Sequence, residues 1–385
     1  MLRKSALKLE VALNMIFINS MEKNKNHYAI IMAGGIGSRF WPYSRTQRPK
    51  QFLDILGVGK TLLQSTYERF LKRFDKENIY IVTNQSYIPL VKQQIPDIDD
   101  ACVLGEPSAK NTAACIAYAS AKIHQLNADA LCVVAPSDHL ILDEEAFMKN
   151  VYEGLTYAQQ HDALVTLGIR PSRPDTGYGY IQYIDTQNAQ HIYKVKTFTE
   201  KPSLELAQTF IDSGDFLWNA GIFIWSGLSI RKAFKELMPE HFDLFTEASQ
   251  HFGTPNEIST IQAIYEQCRS VSIDYGILEK ANNVYVIPSD FGWSDLGTWT
   301  SLYENAAHKD NNRNVLDGKH IHVYNTADCM ISSHAAKGKL VVLNSVQNII
   351  VVDTDDVLMI CDKSKEQEVK QMVADVKIKY DEKYT

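Results

Sequence analysis

The candidate chemistry of the sequence is concentrated in one loop, Ala33-Gly-Gly-Ile-Gly-Ser-Arg39, with Arg45, Arg48 and Lys50 close behind. Gly34, Gly35 and Gly37 follow the apolar run Tyr28 to Ala33, which reads as a buried strand. Glycines in that place let backbone N–H groups approach a phosphate closely. Four cations in so short a stretch repel one another unless something anionic sits among them, and a triphosphate is the obvious candidate. A glycine turn with a solvated basic face is the alternative, and Arg39 and Lys50 weigh against it. Two other phosphate motifs fail. The dinucleotide fingerprint breaks at Phe40, where its third glycine belongs, which disfavours an NAD-linked enzyme. Gly59-Lys60-Thr61 imitates the end of a Walker A loop, but Asp54 replaces its first glycine; it reads as a turn in which Thr61 caps a helix.

Two carboxylates stand at positions suited to a metal. Asp138 follows the apolar strand Leu131 to Ala135, and a carboxylate at the carboxyl end of a central strand can hold Mg²⁺ against phosphate oxygens. Capping the next helix is the competing role, and Asp143 stands closer to that helix. In Asp290-Phe-Gly-Trp-Ser-Asp-Leu-Gly-Thr-Trp299 both Asp295 and Asp290 qualify as the second ligand. On local grounds either could instead cap the helix from Thr298. Between these carboxylates lie pieces suited to a sugar phosphate. Glu200 can accept from vicinal hydroxyls, Asn219 can donate and accept, and Gly179, beside Tyr178, lets backbone approach a ring. Lys201 supplies a point charge for the phosphate. His320 and His322 alternate on one strand face without a third ligand nearby and read as surface residues.

The elements that must position these residues alternate. Strands are expected at Tyr28 to Ala33, Ile79 to Thr83, Ala130 to Ala135 and Ala163 to Gly168, with helices at Leu62 to Phe74, Thr112 to Leu126 and Glu144 to His161. That order implies an α/β fold with a mostly parallel sheet, whose ligands bind at the carboxyl ends of the strands. The polar stretch 308–318 reads as a linker. Beyond it, His320 to Tyr324, Leu340 to Leu343, Ile349 to Val352 and Val357 to Cys361 suggest a small β domain of β-helix type, closed by a helix from Lys365. No clear repeat is visible. The expected organisation is thus a leader at 1–26, a catalytic domain at 27–307, a linker at 308–318 and a β domain at 319–385.

Composition narrows the function classes. Thirty-nine Lys and Arg against 46 Asp and Glu give a net charge of -7, so neither nucleic acid nor an anionic membrane is an expected partner. No apolar run reaches the ~20 residues of a membrane-spanning helix. Six scattered cysteines form no CxxC pair and fit reduced thiols in a cytoplasmic protein. The start, Met1 to Ile18, resembles a signal peptide only faintly, and Met21 is a second candidate start.

Taken together, Gly34 to Arg39, Trp41-Pro-Tyr-Ser-Arg45, Pro49-Lys-Gln-Phe-Leu53, Glu200-Lys-Pro202, Asn219-Ala-Gly221 and Trp293-Ser-Asp-Leu-Gly-Thr298 resemble the mannose-1-phosphate guanylyltransferase family. The resemblance runs from about Tyr28 to Trp299. It implies a nucleotidyltransferase fold with a smaller C-terminal β domain, and GTP and mannose 1-phosphate as substrates with Mg²⁺ as cofactor. It decides for Asp295 over Asp290, so that Asp138 and Asp295 hold the metal. It places Arg39, Lys50 and Lys201 with them as catalytic residues. It assigns Ala33, Gly34, Gly35, Gly37, Ser38, Glu106, Asn111, Thr112 and Ser137 to the nucleotide, and Tyr178, Gly179, Glu200 and Asn219 to the sugar. Lys110 stands where the family commonly has Arg. The 67 residues after Gly318 are too few for the isomerase domain fused to some members, which implies a single-activity form. A homodimer is the candidate assembly. The alternatives are the same chemistry on another sugar phosphate or nucleotide, and a catalytically silent regulatory subunit.

Overall fold

The computed structural model describes residues 22–185, 191–335 and 338–385. Most of the expected leader therefore lies outside the described residues. The chain divides into two compact units. The first takes the described chain up to Gly34, then Thr66–Ser137 and Ile141–Trp293. The second takes Gly35–Ser65, Asp138–Leu140 and Ser294–Thr385.

The first unit is built on a nine-stranded sheet. Its strands are β1 (His27–Ala33), β2 (Ile79–Asn84), β3 (Val103–Glu106), β4 (Leu131–Pro136), β5 (Leu164–Ile169), β6 (Gly179–Ile184), β7 (Tyr193–Glu200), β8 (Phe216–Ser226) and β9 (Val284–Ser289). They lie in the order β3-β2-β1-β4-β8-β5-β9-β7-β6. The half from β3 to β4 is parallel. Ala29, Ile30 and Ile31 of β1 are fully buried, as a strand covered on both faces requires. β8 then runs antiparallel to β4 and β5, and β6 pairs antiparallel with both β7 and β8. The helix Asn111–Leu126 buries a run of small residues including Ala113, Ala114, Ala117 and Ala121. The helix Glu144–Gln160 is capped by Asp143, which accepts from the Ala146 N–H at 2.9 Å, leaving Asp138 without a capping role there.

The second unit carries a short parallel β-coil. Strands β10 (Val315–Asp317), β12 (Met330–Ser333), β14 (Ile349–Asp353) and β15 (Leu358–Asp362) form one sheet, and β11 (Ile321–Tyr324) pairs with β13 (Val341–Asn344) in another. One coil spans 20 residues, from Ile321 to its partner Val341 and from Met330 to its partner Ile350. The corners repeat at the same interval: Asn325 and Ser345, and Asp328 and Asn348, all have left-handed φ between 46° and 58°. Asn and Asp tolerate that conformation through local hydrogen bonding. The repeat thus lies in corner geometry while the residue types change from coil to coil.

Three features differ from the expected organisation. Val315–Asp317 is a strand within the stretch read as a linker, and β12 was not anticipated at all. The loop 35–65 also groups with the β-coil, because Phe40, Trp41, Leu53 and Ile55 share a buried cluster with Leu296, Trp299, Met330, Ile350 and Val352. Burying the two indoles and Phe40 is worth on the order of 1.5–3 kcal/mol per large side chain, which is what holds so irregular a loop in one shape. The terminal helix runs Val369–Tyr380, after a 3₁₀ segment at Lys363–Glu368. Among the described residues no helix is long and apolar enough to cross a membrane, and all six cysteines are free and buried.

Candidate active site

Within the second unit the glycine loop folds onto Lys50. Gly37 has φ 72°, and a Cβ built on it would lie 2.4 Å from Lys50 Cβ, so both its conformation and its space demand glycine. The Lys50 N–H donates to Ile36 O at 3.1 Å, and Ser44 Oγ donates to Gly37 O at 2.6 Å. The Lys50 side chain is 4% exposed. Its ammonium donates to Asp138 Oδ2 at 2.9 Å and to the Asp295 carbonyl O at 2.9 Å, and it lies 5.5 Å from the Phe40 ring centroid. One cation therefore ties together two residues that are far apart in sequence, each a proposed metal ligand. Burial acts to raise the Asp138 carboxyl, but Lys50 and His139 outweigh it and hold that carboxyl below its ordinary value.

Asp295 lies in an Asx turn: its Oδ1 accepts from the Gly297 N–H at 2.9 Å. The following helix is capped by Thr298, in a reciprocal box with Ser301, so the capping alternative for Asp295 is excluded. Asp290 belongs to the first unit and is exposed. Two hard carboxylates fit Mg²⁺, which is commonly held by one or two carboxylates with phosphate oxygens completing the shell. Among the described residues no group of three or more potential metal ligands occurs.

The expected cluster of four cations is corrected. Arg45 is bound to Asp356 through both terminal nitrogens, at 2.7 and 2.5 Å, and to Thr354 Oγ1 at 3.3 Å. Arg48 is exposed, with its backbone bridged to Arg45. Arg39 is half-buried, and its buried Nε has no hydrogen-bond partner among the described residues. Gly37→Ala is expected to displace the Lys50 side chain and lower turnover on the order of 10²-fold, the scale of losing one transition-state contact. Steady-state rates beside a thermal melt would separate that effect from unfolding.

Within the first unit the sugar-phosphate candidates meet at the paired ends of β6 and β7. Gly179 pairs with Glu200, and a Cβ on Gly179 would lie 2.4 Å from Glu200 Oε2. Lys201, at φ 48°, donates its N–H to Tyr178 O at 3.1 Å and its ammonium to Glu200 Oε1 at 2.7 Å. The Tyr178 ring packs edge-on against Trp218 and Trp293, with centroids 5.0 and 5.2 Å away. Asn219 is held at both ends. Its Oδ1 accepts from Thr166 Oγ1 and the Gly221 N–H, and its Nδ2 donates to Asp274 Oδ1 at 3.0 Å. Asp274 was not anticipated. Burial, and then the neighbouring Glu200 carboxylate, push its carboxyl up to about 6. The only hint in the sequence is a carboxylate between apolar neighbours, in Ile273-Asp-Tyr-Gly-Ile277.

The nucleotide candidates of the same unit gather at the ends of β1, β3 and β4. Ala33 O accepts from Thr83 Oγ1 at 2.8 Å, and the Ser137 N–H donates to Met32 O at 2.9 Å. Glu106, the last residue of β3, is 7% exposed. Its Oε2 lies 3.3 Å from the Cβ position of Gly34, and its Oε1 accepts from the Tyr265 hydroxyl at 3.0 Å. Burial pushes this carboxyl up to about 7, with the Tyr265 bond opposing. Asn111 begins its helix at φ 65°, exposed. Thr112 accepts from the Ile273 N–H at 2.9 Å, which ties the helix start to the segment carrying Asp274. In the second unit Gly35 is exposed, with nothing within 4 Å of its Cβ position, and Ser38 opens a short 3₁₀ turn.

A family model described as Nucleotidyl transferase matches residues 28–312, and one described as MannoseP isomerase/GMP-like beta-helix domain matches residues 318–376. The mannose-1-phosphate guanylyltransferase of Salmonella montevideo is 35% identical over 91% of this chain and 74% of its own length. The alginate biosynthesis protein AlgA of Pseudomonas aeruginosa is 36% identical over 90% of this chain and 71% of its own. A crystal structure from Thermus thermophilus, bearing the name mannose-1-phosphate geranyltransferase, superposes with a TM-score of 0.81 at 30% identity, covering 91% of this chain and 99% of that one.

Proposed function

From the premise that the chain belongs to the nucleotidyl transferase family, among the mannose-1-phosphate guanylyltransferases, we propose that it transfers GMP from GTP to mannose 1-phosphate, giving GDP-mannose and pyrophosphate. The observation that carries this reading is the Lys50 ammonium joining Asp138 to Asp295 beside the glycine loop.

In the proposed reaction a phosphate oxygen of mannose 1-phosphate forms a bond to the α-phosphorus of GTP as the bond from that phosphorus to the β-phosphate bridging oxygen breaks. The nucleophile is already anionic, so no general base is needed, and positioning with charge neutralisation carries the catalysis. Arg39 and Lys50 hold the triphosphate and stabilise the charge that passes to pyrophosphate. Lys201 orients the attacking phosphate, while Glu200 and Asn219 bind sugar hydroxyls. Asp274 fixes which way the Asn219 amide faces. Asp138 and Asp295 would hold Mg²⁺, which when bound neutralises phosphate charge and orients the reacting groups. For the base, Glu106 offers a buried acceptor to the paired donors of guanine.

The test is Mg²⁺-dependent pyrophosphate release across a panel of nucleoside triphosphates and sugar 1-phosphates. GTP with mannose 1-phosphate is expected to be the preferred pair. Asp138→Asn and Asp295→Asn are each expected to lose about 10²-fold in rate. Absence of turnover on every pair would sink the enzyme reading, and undiminished turnover in both variants would sink the metal assignment.

A further inference from the structure

The β-coil of the second unit has no part in the proposed chemistry, yet it is bonded to the loop that carries Lys50. Arg45 uses four donor contacts to fix its place. Nε donates to Pro42 O at 3.1 Å, the two terminal nitrogens grip the Asp356 carboxylate, and one of them also reaches Thr354 Oγ1. Thr354 in turn donates to Asp356 Oδ1 at 3.2 Å and accepts from the Val357 N–H, so the turn that presents the carboxylate is itself braced. On the N-terminal side of Arg45 the same segment is held again. Trp41 Nε1 donates to Tyr384 O at 2.7 Å, and the Tyr43 ring stacks on His334 with centroids 5.3 Å apart. Ser44, next to Arg45, bonds Gly37 O, and Gly37 packs on Lys50.

We infer that the β-coil acts as a clasp on the phosphate loop, with Asp356 as a positioning residue that works through Arg45 to hold Gly37 and Lys50 in place. This rests on the reading of Gly37 and Lys50 as the phosphate site. A planar guanidinium gripping a carboxylate with two parallel bonds fixes orientation as well as distance, which a lysine at position 45 could not do. The side chains of Arg45 and Asp356 are 22% and 42% exposed, so the pair contributes little to global stability and its effect is local. Small displacements of catalytic groups are costly in rate, and loss of the clasp acts through such a displacement.

The experiment compares wild type with Asp356→Ala, Asp356→Glu and Arg313→Ala. Arg313 forms a bidentate pair with Asp328 elsewhere in the same unit and serves as the control. Hydrogen exchange of peptides spanning 36–53 is read beside thermal melts and initial rates with each substrate varied. In Asp356→Ala the loop is expected to exchange about tenfold faster and kcat/KM for GTP to fall about tenfold. The melting temperature and the KM for mannose 1-phosphate should stay near wild type. Asp356→Glu should recover most of the loss, and Arg313→Ala should match wild type. Unchanged loop exchange in Asp356→Ala overturns the clasp whatever turnover does. Faster exchange with an unaltered kcat/KM for GTP overturns its part in the reaction, as does an equal loss in Arg313→Ala. If the wild type turns over no nucleotide, the functional reading fails, while the exchange measurement still decides the clasp.

Discussion

Lys50→Met is expected to lower kcat/KM for GTP by about 10³-fold, more than any other single change at the phosphate loop. The ammonium has two tasks that a thioether of similar reach cannot perform. It neutralises Asp138, and it donates to the Asp295 carbonyl, so its loss frees both residues at once. In the proposed reaction it also removes a cation that would stabilise the charge passing to pyrophosphate. The effect on stability should be smaller, because the Asp138 side chain is 30% exposed and water can replace part of what Lys50 supplied. Its pH dependence has a definite sign. Lys50 helps hold the Asp138 carboxyl below its unfolded value, so the pair stabilises the fold above that value and the contribution is lost as pH falls through the depressed one. Wild type and variant should therefore differ in melting temperature at pH 7 and begin to converge only as pH falls below about 4. A variant that keeps wild-type kcat/KM with GTP would remove Lys50 from the mechanism.

What the sequence made legible follows from what local pattern can encode. β1, β4 and the helices at 111–126 and 144–160 carry uninterrupted apolar runs or clear periodicity, and the structure places each within two residues of its expected bounds. Thr61 caps the helix Leu62–Leu71, as its place before an apolar run suggested: its hydroxyl accepts from the Gln64 N–H while Gln64 Oε1 accepts from the Thr61 N–H. The antiparallel strands β6 to β8 were hidden, because Gly179, Asn219 and Gly221 interrupt their apolar patterns. Charge without its partner misled in one case. Arg45 looked like a phosphate cation because nothing nearby in sequence announces Asp356, 311 positions away. Asp274 escaped notice for the same reason, since its significance lies in a bond to Asn219, 55 positions away. In the β-coil only the left-handed corners repeat, and the residues that fill them differ from one coil to the next.

Glu106→Gln is expected to lower kcat/KM for GTP by about 10³-fold while leaving inosine triphosphate, which lacks the 2-amino group, much less affected. Guanine presents two adjacent donors, N1–H and the 2-amino group, and an ionised carboxylate is the one side chain that only accepts. Glu106 stands at the end of β3 against Gly34, with one oxygen toward the loop and the other taking the Tyr265 hydroxyl. A glutamine there turns one acceptor into a donor and sets it against a donor of the base, which costs more than a simple loss of contact. Burial pushes the Glu106 carboxyl up to about 7, and the groups beside it, Tyr265 and the buried thiol of Cys115, are both neutral in that range. GTP selects the ionised form, so kcat/KM for GTP in the wild type should rise with pH and level off above about pH 7. In Glu106→Gln the same window should be flat. The unliganded proteins give the opposite readout. A carboxyl raised in the fold stabilises it less as pH climbs from its unfolded value toward the raised one, so the variant should gain melting temperature relative to wild type at pH 8 and not at pH 4. Equal ratios of GTP to inosine triphosphate turnover in wild type and Glu106→Gln above pH 7, where the carboxyl is ionised, would remove Glu106 from base selection.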